Sequence, residues 1–186
     1  MRGIGERLAG SDLRSIGEAT AVARDMLADP AMIAEAMRLL SADDPVLRAR
    51  TADALEKATS ERPAIIQPYK QTMLRLAGTA RQQEMRWHIA QILPRLRLNA
   101  RERTRAIAIL RQYSSDPSRI VQVCAMQALW NLATTRGHRE EWVVSFVKQM
   151  AREGSPAIQA RARILLQSSD STPPNRACNR RRPSRQ

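Results

Sequence analysis

The side chains best suited to hold a metal or attack a substrate are few in this chain: His88, His138, Cys124 and Cys178. A metal centre or nucleophilic dyad needs several such groups to converge. Neither histidine has a second His or a Cys close to it in sequence. Glu140 and Glu141 open a helix, where carboxylates offset the macrodipole, and nothing around them gives a reason for the shifted pKa that acid–base work requires. The chain contains no Gly-rich phosphate loop, no His-Glu-x-x-His and no Cys-x-x-Cys. The sequence therefore predicts no catalytic residues, no metal, no cofactor and no small-molecule substrate.

Charge is more informative. The net charge is +13, and 28 of the 31 basic residues are Arg. The guanidinium fork suits phosphate and carboxylate; the alternative is a coding preference that uses Arg wherever a solvated cation serves. Residues 61–120 hold 12 basic and 4 acidic side chains. The densest stretch, "PRLRLNARERTR", contributes Arg95, Arg97, Arg101, Arg103 and Arg105. Arg97 falls near a helix C-terminus, where a cation is favoured, but Arg101, Arg103 and Arg105 open the next helix, where the dipole opposes them. That local penalty marks them as a candidate edge for an acidic protein surface or a phosphate backbone. Trp130 is the aromatic candidate. Facing solvent it would be an interface anchor; facing inward it would be core.

These residues need elements to position them. Aromatics are 3% of the chain and strand-like alternation is nowhere sustained, whereas Ala, Leu, Arg, Gln and Met dominate. The fold class expected is all-α. Ser15 and Glu18 have capping-box spacing ahead of a helix carrying Val22, Ala23 and Met26, and Asn99 and Glu102 repeat that spacing. Pro68 bends or restarts a helix that ends at Gly78. Helical pairs are expected over 30–58, 62–94, 99–134 and 139–168, after an N-terminal arm (1–14) and a capping helix, with a disordered basic tail over 169–186. Trp87 and Cys124 read as buried, and Trp142 joins a core stripe with Val143, Phe146, Val147 and Met150. Cys178 lies in the tail, so no disulfide is expected. With no signal-peptide core and no membrane-length apolar run, a soluble cytoplasmic protein is expected.

The second helices of these pairs align. "VLRARTADAL", "EMRWHIAQIL", "IVQVCAMQAL" and "AIQARARILL" end at Leu55, Leu93, Leu129 and Leu166, at intervals of 38, 36 and 37 residues. A near-constant period of this size is a repeat signature. The stretch Asp44, Pro45, Arg48, Ala52, Ala54 and Leu55 resembles the second helix of HEAT repeats, and Pro68 with Met73, Leu74 and Leu76 is similar to their first helix. The resemblance spans Pro30 to Leu166 and loosens in the last copy, where Gln122 and Gln159 replace Arg48 and Arg86. It implies a right-handed α-solenoid of about four hairpins, with Arg48 and Arg86 paired to acids such as Asp44 and Asp116. It also implies a scaffold that docks another protein, one with an acidic surface. A nucleic-acid-binding solenoid, or an enzyme similar to the DNA alkylation-repair glycosylases, are the alternatives.

Overall fold

The computed structural model describes residues 3–135 and 138–170. The expected tail beyond Asp170 lies outside them. The described residues form α1 (Ile4–Leu8), α2 (Ala19–Ala28), α3 (Met32–Leu39), α4 (Pro45–Glu61), α5 (Lys70–Thr79), α6 (Gln83–Ile92), α7 (Ala100–Tyr113), α8 (Arg119–Leu132), α9 (Glu141–Glu153) and α10 (Pro156–Asp170). The only pairing of strands among them is a two-residue antiparallel ladder, Thr134–Thr135 with His138–Arg139, between α8 and α9. The protein is all-α. No helix among the described residues is long and apolar enough to cross a membrane.

Local chemistry explains most boundaries. Asp44 caps α4 by accepting the Val46 N–H at 2.8 Å, with Pro45 in the first turn, where its missing N–H costs nothing. Asn99 and Glu102 form the expected capping box of α7. Pro68 forces Pro63–Tyr69 into a 3-10 segment before α5 starts. The second expected capping box is absent. Ser15 accepts from Gly17 N instead, Gly17 adopts φ +53°, and α2 begins at Ala19. The N-terminal arm contains α1, with Ile4 and Leu8 buried in the core.

The helices pack in sequence order. The row α4, α6, α8, α10 places each helix against the next, α5 lies against α7, and α9 closes on α10 and α8. Leu55, Leu93 and Leu129 are fully buried along the row. In the fourth pair the seam residue is Leu165 rather than Leu166, and Ala162–Leu165 repeats the three-residue spacing of Ala52–Leu55 and Ala90–Leu93. Small residues at Ala52, Ala90 and Ala162 let neighbouring backbones approach.

One kind of hydrogen bond recurs ahead of α4, α6, α8 and α10. Arg48 donates to the carbonyls of Ala42 and Asp43, Arg86 to Arg81, Gln122 to Asp116, and Gln159 to Arg152 and Gly154. Each closes the turn ahead of its own helix, so Gln performs at 122 and 159 the task Arg performs at 48 and 86. The expected pairing of Arg86 with Asp116 is present, with Nε 2.7 Å from Oδ2 and Nη2 3.3 Å from Oδ1. The Arg48–Asp44 pairing is not: Asp44 is occupied as a cap, and Arg48 Nε reaches Gln82 of the next copy at 3.0 Å.

Candidate docking groove

The predicted arginine edge divides in two. Arg95 donates to the Glu56 carbonyl (2.6 Å) and Thr59 Oγ1 (2.9 Å) and pairs with the Glu56 carboxylate. Arg103 donates to the Leu132 carbonyl at 3.0 Å and pairs with Glu140. Both therefore join one copy to the next. Arg97, Arg101 and Arg105 are exposed. Arg101 and Arg105, one turn apart on α7, border a cleft of about 400 Å³ with Gln71, Leu74, Asn99 and Glu102. The Glu102 carboxyl is held below the usual carboxylate range by Lys70, 2.8 Å away, and by the Asn99 N–H.

Trp130 is not a surface anchor. It is 2% exposed, and the Arg139 guanidinium lies 4.2 Å from its ring centroid. The indole is part of the buried core. Three burial expectations also change. Trp142 is half-buried beneath Arg111 (4.4 Å) and borders a 300 Å³ cavity with Phe146 and Met150. Trp87 is half-buried and faces a groove. Cys124 is half-buried too, and burial pushes its thiol up to about 11, which leaves it a poor nucleophile.

That groove, of about 470 Å³, was not legible in the sequence. Its walls come from the loop before α2 (Leu13, Ser15, Ile16), from α4 (Ala49, Arg50, Asp53), from α6 (Gln83, Glu84, Trp87, His88) and from Ile120 at the start of α8. Leu13, Ile16 and Ile120 are 47%, 54% and 54% exposed. Only one other large aliphatic side chain among the described residues, Ile164, is comparably open. Apolar exposure is thus concentrated at one concavity.

Arg50 builds the wall that carries Leu13 and Ile16. Its guanidinium donates to the carbonyls of Leu8 (3.1 Å), Ala9 (2.7 Å), Asp12 (3.2 Å) and Ser15 (2.8 Å), and so ties the whole 9–17 loop to α4. Glycines make room for it. A Cβ at Gly10 would stand 2.4 Å from Nη1, and one at Gly17, already at positive φ, 2.9 Å from the same atom.

A polar cluster adjoins the groove, which Asp53 and His88 line. His88 on α6 meets Asp53 and Glu56, one turn apart on α4, with ligand-capable atoms all within 4.8 Å of one another. His88 Nδ1 is buried and has no hydrogen-bond partner. Burial pushes the imidazole below its ordinary value, against the opposing pull of Asp53, Glu56 and Glu84. Sequence distance hid this cluster, because its carboxylates come from the preceding copy. The chain matches no family model, no curated protein and no solved structure.

Proposed function

We propose that this chain is a non-enzymatic helical-repeat adaptor, a right-handed HEAT-like solenoid that receives a segment of another protein in the groove between the 9–17 loop and the row α4, α6, α8. The repeat reading is supported by the 36- to 38-residue spacing of the seam leucines and by the turn-closing bond recurring at Arg48, Arg86, Gln122 and Gln159. The docking reading rests on one observation. Three of the four most exposed large aliphatic side chains line a single groove beside Trp87, and contiguous apolar exposure marks interaction sites. The occupant is a short segment with two or three bulky aliphatic side chains flanking a Lys or Arg. Glu84 supplies the charge complement: it is half-buried at the groove, and the neutral Gln83 amide donates to it at 3.1 Å, while of the two arginines that also line the groove Arg50 is committed to four backbone carbonyls and Arg14 lies 3.9 Å from Asp12.

A peptide-display selection against the full chain tests this. Selected peptides are expected to be aliphatic-rich with a basic residue, and to lose binding by about tenfold or more in Ile16→Asp and Ile120→Asp, roughly the cost of charging an apolar contact. Binders indifferent to both changes would refute the groove. A second reading, an edge for acidic partners or polynucleotide, is supported by the exposure of Arg97, Arg101 and Arg105. It predicts binding that falls steeply with salt and is lost in the Arg101→Ala, Arg105→Ala variant, with Ile16→Asp silent.

A further inference from the structure

We propose that Asp53, Glu56 and His88 form a binding site for a divalent transition-metal ion, of the Zn²⁺ type, beside the groove that Asp53 and His88 line. The three residues offer one imidazole nitrogen and two carboxylate oxygens, a donor set that Zn²⁺ accepts with water completing a four-coordinate shell. Their positions are fixed by packed helices: Asp53 and Glu56 lie three residues apart on one face of α4, and His88 sits opposite on α6, which packs directly against it. Ligand atoms within 4.8 Å of one another must close to about 3.3 Å around a Zn²⁺ bound at ~2.0–2.1 Å. Closing that difference by rotation of the two carboxylate side chains exchanges part of their contact with Lys57 and Arg95 for the ion.

Two further features fit an ion. Asp53 Oδ2 is engaged by Lys57 and Glu56 Oε1 by Arg95, while Asp53 Oδ1 and Glu56 Oε2 have no protein partner among the described residues. Each carboxylate is thus oriented through one oxygen and open at the other, the arrangement by which an outer shell holds a metal ligand. His88 Nδ1 is buried and has no hydrogen-bond partner. The assignment does not depend on what the groove receives.

Calorimetric titration of the full chain with Zn²⁺ tests it, at about pH 7.5 where His88 is neutral and with Cys124 and Cys178 changed to Ser to remove the thiols. One ion is expected, with Kd on the order of micromolar, weakened about tenfold or more by His88→Gln and by the Asp53→Asn, Glu56→Gln pair. Thermal melts without metal establish that the variants fold. A measurement on the unaltered chain guards against a variant that does not: substoichiometric Mn²⁺ is expected to broaden the His88 ring-proton NMR signal and spare that of His138. Absence of heat at roughly millimolar Zn²⁺, binding that survives both sets of changes, or broadening confined to His138 would each overturn the site.

Discussion

Single residues hold this protein together through arginine more than through any other polar type. Arg50 is the clearest case, because one buried guanidinium satisfies three carbonyls of a loop that has no regular structure of its own, together with the last carbonyl of α1. Arg50→Ala would orphan those carbonyls and release the loop. It is expected to lower unfolding free energy by about 3 kcal/mol, measured by urea denaturation, and Arg50→Lys should recover only part of that, since an ammonium cannot span the fork. Trp130→Ala should cost about 3–5 kcal/mol, the range for a buried aromatic; a loss below about 1 kcal/mol would mean that the indole is not core. His88 makes a prediction in pH. Its folded pKa lies below its ordinary 6.5 through burial, so the unfolded chain binds the proton first. Stability, measured with chelator present, should fall as pH drops below 6.5, and His88→Gln should remove that slope. A separate loss below 4.5 belongs to Glu102 and Glu140, whose folded pKa values are lowered by Lys70 and by Trp142 with Arg103.

At the scale of elements, the second helix of each pair carries a donor that closes its own preceding turn. Arg48→Gln should therefore cost under about 1 kcal/mol, the size of a single net hydrogen bond, because Gln122 and Gln159 make the same backbone contact. Arg48→Ala should cost more. A Gln variant as damaged as the Ala variant would show that the guanidinium's reach to Gln82, not turn closure, is what matters. The helices themselves were legible, since Asp44–Pro45, the Asn99/Glu102 box and the leucine spacing each act within a few residues. The Ser15/Glu18 box was misread because the cap geometry competes with a Gly17 turn that exists only to accommodate Arg50 from 33 residues away. Trp130 was ambiguous for the opposite reason. Its helix is apolar nearly all round, and the residue that covers the ring, Arg139, lies beyond a turn.

At the scale of the molecule, the pairing of helices across copies creates what no local pattern encodes. Leu13, Ile16, Trp87 and Ile120 come from three separate stretches and meet at one groove. Asp53, Glu56 and His88 meet only because α4 packs on α6. The basic stretch that dominates the sequence is divided by the same packing. Arg95 and Arg103 become cross-links while Arg97, Arg101 and Arg105 stay on the surface.

Methyl NMR of the full chain, titrated with a peptide selected against it, tests the docking reading most directly. The Leu13, Ile16 and Ile120 signals are expected to shift together and saturate at one stoichiometry, while Ile164, equally exposed but away from the groove, stays in place. Saturable binding that leaves those three methyls unmoved would contradict the account.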